Sequence, residues 1–429
     1  MKVSGRERLK TLFVGFAVPD ETMEELSRRD PVPQIAAHKF QWSIIRGVEE
    51  ASGSHLDLLS SIPASDYPRG RKIFFGYRKW RHREESEDVL IPFVNVILLK
   101  HLSRLFFSLV FIIAWLYRHR NAGRKSILVY AMHSPYVLAT LAASRILGGS
   151  AVLIIPDLPA FSDVGIKRGP IRRALKALDV LCLPWLTRKF DGLVVLSRHI
   201  AEDLGVTEVP YIVVEGAITE SKWKTDGAER HRHGMARNSE IIVMYAGGLS
   251  EEYGLTLLLD AFSRIPDKNY RLWICGRGPL EPVVKDYSAR DRRVVYWGFL
   301  PNEDVMEKER QSTVLVNARS SNNVFTRYSF PSKLLEFMLS ARPTITTELP
   351  SIPDEYKDFL FLLKEETPEK LAGLIREVCS RSPEDLSDFG RKASEFVLRE
   401  KNYRKQGERI YDLLARLSGD IQVSAESAR

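Results

Sequence analysis

Tyr328–Thr344 reads YSFPSKLLEFMLSARPT, and the fold follows from how this stretch is read. The turn-prone Phe330-Pro331-Ser332 leads into apolar residues at helical spacing: Leu334, Leu335, Phe337 and Met338. Arg342-Pro343 ends the run, because proline lacks a backbone donor and clashes with the preceding turn. Pro331 suits a first helical turn, where its missing N–H would be unsatisfied in any case. A helix beginning here aims free N–H groups and a partial positive charge at whatever lies before it. Lys333 adds a full charge in that turn. Glu336, one turn on, offers carboxylate oxygens to sugar hydroxyls. A diphosphate is the ligand this arrangement favours. Taken alone, the same residues also describe a capped core helix, so the surroundings decide.

Those surroundings alternate strand and helix. In the C-terminal half the expected strands are Glu240–Ala246, Tyr270–Cys275, Val294–Trp297, Val314–Asn317 and Thr344–Thr346. Glycines follow three of them: Gly247-Gly248, Gly276-Arg277-Gly278 and Gly298. The expected helices are Leu255–Arg264, Asn302–Gln311, Phe330–Ser340, Pro368–Ser380, Pro383–Glu400 and Tyr403–Leu417. In the N-terminal half the strands are Leu9–Val18, Ile127–Ala131, Ala151–Ile155 and Gly192–Leu196. The helices there are Ser134–Leu147, Arg198–Leu204 and Ile171–Lys189, the last broken at Pro184. Continuous apolar strands separated by helices imply parallel sheets covered on both faces. Ligands of such sheets bind at the carboxyl ends of the strands, where Met132-His133-Ser134 and Pro156-Asp157 fall. Asp157 there can accept a substrate hydroxyl's proton or serve as a turn aspartate. His133 reads equally as a site residue or a satisfied core histidine.

The chain divides on this reading into an N-terminal domain 1–225, a second domain 226–402, a helix 403–417 that packs back on the first domain, and a tail 418–429. The polar stretch Glu220–Glu240 is the linker. Its His231 and His233 read as solvated residues and not as a metal site.

A length of 429 residues allows two full cores, and 44% hydrophobic with 28% charged residues excludes wholesale disorder. The net charge of +8 is uneven. Residues 1–225 hold 32 Lys and Arg against 23 Asp and Glu, and the remainder holds 31 against 32. The excess implies an acidic partner for the first half, such as an anionic bilayer, or else a solubilising surface. Cys182, Cys275 and Cys379 show no metal or disulfide spacing, so a reducing cytoplasm is expected. The first apolar run stops at Pro19-Asp20, too short for a signal-peptide core. Arg69–Arg83 interleaves basic residues with Phe74, Phe75, Tyr77 and Trp80, a pattern of nucleic-acid or membrane contact and also of an ordinary exposed hairpin or loop, the reading we favour. Leu105–Tyr117 (LFFSLVFIIAWLY), flanked by Lys100, His101 and Arg104 and by Arg118, His119 and Arg120, is shorter than the roughly 20 residues a spanning helix needs. The segment 98–120 reads as a buried helix, an interfacial helix or a hairpin-like insertion.

The series YAGGLSEEYGLTLLLDAF, LWICGRGPLEP, VVYWGFLPNEDV and YSFPSKLLEFMLSARPTIT closely resembles, in order and interval, the C-terminal domain of glycosyltransferase family 4, the retaining GT-B enzymes. FPSKLLEF is most similar to enzymes of bacterial capsule, exopolysaccharide and O-antigen assembly. The resemblance spans about residues 190–400, is readable over 120–190 and is poor over 20–100. It implies an α/β GT-B fold: two doubly wound, Rossmann-like domains facing a central cleft.

It also implies roles. Glu336 matches the second Glu of the family's E-x7-E motif, which holds the donor ribose. The first falls on Tyr328, which cannot replace a carboxylate. Backbone groups of Ser329, Phe330 and Ser332 are then expected to help hold the donor hexose. The family's Arg and Lys after the first strand of this domain fall on Gly248 and Tyr253. Lys333, then Arg327 or Arg319, is expected to supply the missing charge, with Gly247 and Gly248 giving backbone N–H groups to the diphosphate. Gly298 and Phe299 resemble the loop that receives the base. His133 matches a donor-side cleft position and Asp157 falls where the family often has a catalytic-face His; the two together suit acceptor binding, and with Lys333 they form the expected catalytic set.

The activity implied is retaining transfer from a nucleoside-diphosphate sugar to a lipid-linked saccharide or oligosaccharide, with no metal or other cofactor and no nucleic acid. It would be cytoplasmic, peripheral at the inner membrane face. An epimerase or hydrolase of the same fold, and a non-catalytic sugar-nucleotide-binding subunit, are the alternatives.

Overall fold

A computed structural model describes residues 9–30, 34–158, 169–218 and 240–419. The expected boundary at 225/226, the linker with His231 and His233, and most of the tail lie outside the described residues. The chain forms two compact units, Met1–Ala217 with Tyr403–Arg429, and Ile218–Asn402.

Unit one is built on an eight-stranded sheet. Its strands are β1 (Lys10–Gly15), β2 (Asp57–Ser60), β4 (Arg78–Trp80), β5 (Asp88–Leu90), β7 (Lys125–Tyr130), β8 (Ser150–Ile155), β9 (Gly192–Val195) and β10 (Tyr211–Val213). A small ribbon pairs β3 (Phe74–Phe75) with β6 (Phe93–Val94). The strand order is β10-β9-β8-β7-β1-β2-β5-β4, and only the edge strand β4 runs antiparallel. The first strand lies inside the sheet and the order reverses between β1 and β7. That reversal is where doubly wound sheets bind ligands. β1, β7 and β8 each bury every residue after the first, as strands covered on both faces must. The basic run 69–83 carries β3 and β4, which pair with β6 and β5 and not with each other, so the run is not itself a hairpin.

The helices of unit one are α1 (Asp20–Arg29), α2 (Ile35–Ser52), α3 (Ile97–Arg118), α4 (Ser134–Leu147), α5 (Pro170–Thr187) and α6 (Arg198–Asp203). α3 is one continuous helix packed against α4. Its buried residues Lys100, Arg104, Ser108, Ile112 and Trp115 recur every three or four positions and make a single inward stripe. The opposite face, Leu98, Leu99, Leu102, Phe106 and Val110, is exposed. The fully buried reading of this segment is therefore corrected: the inward stripe is mixed and includes the charged Lys100 and Arg104, while apolar side chains take the outward face. α5 runs through Pro184 without the expected break, with Leu183 and Thr187 packed inward on either side of it.

Unit two carries a six-stranded, all-parallel sheet of β11 (Ile241–Ala246), β12 (Tyr270–Cys275), β13 (Val294–Gly298), β14 (Val314–Asn317), β15 (Thr344–Thr347) and β16 (Phe361–Leu363). Its order, β13-β12-β11-β14-β15-β16, is the mononucleotide-binding 3-2-1-4-5-6 pattern, reversing between β11 and β14. Both units are thus Rossmann-like. The helices are α7 (Leu255–Ser263), α8 (Glu281–Arg290), α9 (Asn302–Gln311), α10 (Ser332–Leu339), α11 (Pro368–Cys379) and α12 (Pro383–Glu400). α10 starts two residues later than expected: Pro331 is its N-cap, with extended backbone, and Ser332 is its first helical residue.

The last helix, α13 (Tyr403–Leu417), belongs to unit one and packs on α2. The two helices meet backbone to backbone at Gly47 and Gly407. A Cβ added at Gly407 would lie 2.0 Å from the Gly47 carbonyl carbon, so neither position has room for a side chain.

Candidate functional site

In unit two, the carboxyl ends of β11, β12 and β13 are drawn together by main-chain bonds. The Gly247 N–H donates to the Cys275 carbonyl at 3.1 Å, and the Gly276 N–H donates to the Gly298 carbonyl at 2.8 Å. Gly276 has φ +143°, and a Cβ there would sit 1.9 Å from the Gly247 oxygen, so only glycine fits. This corrects the expected role of Gly247, because its amide is already used by the sheet. The Gly248 amide has no partner among the described residues. The Tyr245 hydroxyl donates to the Gly248 carbonyl at 2.6 Å, and the Tyr253 ring occupies the space a Gly248 side chain would take. Tyr253 therefore does not stand in for the family's cation. It walls the loop.

A cation does reach this place, from the other side of the strand reversal. Arg319 follows β14 and is 5% exposed. Its guanidinium lies 5.7 Å from the Tyr253 ring centroid and 4.6 Å from that of Phe325, and Nη1 donates to the Ser329 carbonyl at 3.3 Å. Arg327 closes a short 3-10 turn, Val324–Arg327, with half-buried Tyr328 just beyond it.

The amides of Tyr328 and Ser329 both donate to the Phe325 carbonyl, so Ser329 has its N–H and C=O engaged within the chain. The Phe330 side chain is buried against Tyr356, with ring centroids 5.2 Å apart, and anchors the loop instead of facing a ligand. Ser332 is exposed, and the amides of Ser332 and Lys333 have no acceptor among the described residues. Those two N–H groups are the free helix entrance that the sequence implied.

Lys333 is not presented bare. Its Nζ lies 2.6 Å from Glu336 Oε2 and 2.9 Å from Glu309 Oε1. Burial works against its charge, but the two carboxylates outweigh burial and raise its pKa above the ordinary lysine value. Glu309 is fully buried on α9, and burial pushes its carboxyl upward despite Lys333. Sequence reasoning missed Glu309, because on an amphipathic helix it looks like any surface glutamate. Glu336 keeps 42% of its side chain exposed and so retains accessible carboxylate surface. Phe299, 65% exposed after Gly298 (φ +72°), has the Arg277 guanidinium 4.4 Å from its ring centroid, a flat platform at the end of β13.

In unit one, His133 caps α4 at the carboxyl end of β7. It is enclosed by Phe16, Tyr136 and His101, with ring centroids 5.3, 4.9 and 5.6 Å away. Arg104 Nη1 lies 3.5 Å from His133 Nε2. Burial first, then Arg104, depress the His133 pKa well below the ordinary histidine value, so the ring is neutral. Asp157 is exposed beyond β8, and its charge, after burial, helps raise the pKa of Tyr130 at the end of β7. In the loop after β1 the Phe16 N–H is already used, donating to Gln41 Oε1 at 2.8 Å. Among the described residues no cluster of three or more His, Cys, Asp or Glu has metal-binding proximity.

Residues 240–381 match the family model described as Glycosyl transferases group 1. No curated protein sequence matches the chain. Among solved structures, the lipopolysaccharide outer core galactosyltransferase WaaB in its apo form superposes with a TM-score of 0.62 at 14% identity, over 95% of this chain and 99% of that one. The Anabaena protein HepE in complex with UDP superposes at 0.61 with 15% identity, over 95% and 100%. Sucrose-phosphate synthase from Thermosynechococcus elongatus gives 0.60 at 13%, over 95% and 99%. At such identities the likeness is one of fold, and the fold is that of the GT-B glycosyltransferases.

Proposed function

We propose that the chain is a retaining glycosyltransferase of family 4 that moves a sugar from a nucleoside-diphosphate donor to a lipid-linked saccharide in surface polysaccharide assembly. The observation that carries the reading is the reversal point of unit two. There the Gly248 amide, the free amides of Ser332 and Lys333 and the buried guanidinium of Arg319 come from loops after β11 and β14. Fixed amide dipoles and one cation stabilise the charge that grows on the leaving diphosphate, without reorganising as it forms and without a metal. Arg319 takes the phosphate-facing part first assigned to Lys333. Glu336 holds the ribose, Phe299 stacks on the base, and the loop Tyr328–Ser332 with Arg327 borders the hexose. On the acceptor side Asp157, after β8, accepts a hydrogen bond from the attacking hydroxyl, and neutral His133 stands after the neighbouring strand β7. The relative HepE is solved with UDP and with UDP-glucose, which supports a nucleotide-sugar donor.

The lipid acceptor rests on α3. Its exposed face sets Leu98, Leu99, Leu102 and Phe106 outward, each at least half exposed, and α5 adds exposed Leu178, Leu181 and Trp185. Residues 97–190 hold 14 Lys and Arg against 3 Asp and Glu, more than the whole net charge. An apolar face within a basic stretch fits an anionic bilayer surface at the cytoplasmic side.

The test is incubation with nucleotide sugars and a bacterial membrane lipid extract, following nucleotide release and the anomeric proton of the product by NMR. Release that requires lipid, with the donor's anomeric configuration kept, is expected. Free sugar formed without acceptor would make the chain a hydrolase, and donor binding with no release would make it a binding subunit.

A further inference from the structure

Arg104 is a buried cation that forms no ion pair with a carboxylate among the described residues. It is 4% exposed. Among the described residues no Asp or Glu comes within ion-pair distance of its guanidinium. Nη2 donates to the Ile62 carbonyl at 2.8 Å, Nη1 makes only the 3.5 Å contact to His133, and Nε is buried without an acceptor. The Phe93 and Phe16 ring centroids lie 4.4 and 5.4 Å from the guanidinium carbon. Taking an ion out of water is costly, and cation–π contacts return only part of that cost. A fold has no stability reason to keep such a group.

The neighbours sharpen the point. Lys100, one turn earlier on α3, is also buried, but it is paired: Nζ is 2.7 Å from Asp66 Oδ1 and 2.6 Å from the Ala64 carbonyl. The two nearby imidazoles, His101 and His133, both have depressed pKa values, by burial first and by Arg104 next, so they add no charge. Among the described residues two carboxylates lie in this neighbourhood, Asp66 on Lys100 and Asp179 on the Ser134 hydroxyl, and neither forms an ion pair with Arg104. The Arg104 guanidinium sits beside Phe16 after β1, Ile62 after β2 and His133 after β7, which is the ligand-binding reversal of the unit-one sheet. His101 and His133, beside it, are only partly buried. The outward face of the same helix is the apolar one.

We propose that Arg104, assisted by His101 and His133, binds the anionic phosphate of a phosphate monoester or diester carried by the acceptor lipid. Guanidinium is suited to this, since its planar fork donates two parallel bonds to phosphate oxygens. The inference deepens the lipid-linked acceptor reading and rests on it for the source of the phosphate. α3 then has two functions on two faces: one seats in lipid while the other takes that lipid's charged group.

The test compares wild type with Arg104→Met, which keeps length and packing, and Arg104→Lys, which keeps charge. Without ligand, Arg104→Met is expected to melt at or above the wild-type temperature, as removal of an unpaired buried charge commonly gives. Inorganic phosphate and vesicles containing dioleoyl phosphatidate are the probes, with phosphatidylcholine vesicles as the blank. Wild type is expected to bind both phosphate probes, Arg104→Met to lose about tenfold or more, and Arg104→Lys to fall between. Loss on inorganic phosphate without loss on phosphatidate vesicles would keep the anion site and overturn its lipid source. Equal affinity in wild type and Arg104→Met, or a large fall in melting temperature with binding retained, would overturn the proposal. UDP titrated into the same variants reads the donor side separately, and its failure in wild type would count against the glycosyltransferase reading alone.

Discussion

Lys333 Nζ lies 2.9 Å from Glu309 Oε1, and the Glu309 side chain has no exposed surface. The pair is within ion-pair distance but not aligned as a hydrogen bond, and both Glu309 oxygens lack a donor among the described residues. Lys333 is therefore the counter-charge of a buried carboxylate. Removing it alone strands that carboxylate, which typically costs about 3 kcal/mol or more. Lys333→Met is expected to lower the melting temperature by several degrees. Glu309→Met with Lys333→Met should restore most of the loss while leaving UDP binding within a few-fold of wild type. Differential scanning calorimetry and titration of both variants check this. A double variant that is stable but cannot bind UDP would return Lys333 to the phosphate.

Arg319 gives a contrast between ligands. If its guanidinium meets the diphosphate, Arg319→Ala should weaken UDP by about tenfold to a hundredfold, the range of a charge-assisted bond, and leave uridine unchanged. Equal losses for both ligands would mean that the substitution collapsed the loop that Arg319 braces through the Ser329 carbonyl.

The edge strand of unit one carries a pH-dependent contact. His82 bonds Glu49 Oε1 through Nε2 and Asp88 Oδ2 through Nδ1, both at 2.8 Å. Burial alone would lower its pKa, but bonds to Asp88 and Glu49 outweigh burial and push it up to about 9. The raised value means that the folded state holds this proton more tightly than the unfolded chain. Its stabilisation is complete below about pH 6.5 and is lost as pH rises through about 9. Denaturant melts should show wild type losing on the order of 2–3 kcal/mol across that window, with His82→Asn less stable and flat over it. A wild type as flat as the variant would contradict the assignment.

Single charges placed on the outward face of α3 should act on membranes and not on folding. Leu102 and Phe106 are 54% and 61% exposed, so Leu102→Glu and Phe106→Glu are expected to move the melting point little. Each should cut flotation with phosphatidylglycerol vesicles by about tenfold, through lost apolar burial and added like charge. Flotation unchanged by both would remove α3 from any bilayer contact.

The alternation of strands and helices was legible because strands covered on both faces are apolar throughout, as in Ile241–Ala246 and Ala151–Ile155. The helix after Pro331 was legible from its punctuation. The sheet order was not, since strand neighbours are set by long-range pairing. Nor were α2 and α8, whose mixed faces dilute the periodic signal. Within the candidate site, Gly248 and Glu336 were read from motif position. The pairing of Lys333 with Glu309 escaped, because α9 and α10 approach only in three dimensions. Arg104 was noted merely as a flank of an apolar run. Its lack of an ion-pair partner among the described residues emerges only from the packing of α3 within unit one.

The central claim is that the entrance of α10 and its Glu336 grip a nucleoside diphosphate. Isothermal titration of UDP into wild type and Glu336→Ala tests it most directly, because Glu336 is partly exposed and its loss leaves Glu309 still paired with Lys333. We expect saturable one-to-one binding by wild type and at least a tenfold weaker affinity in the variant, with the melting temperature of the free protein little changed. Identical affinities for the two proteins would contradict the account.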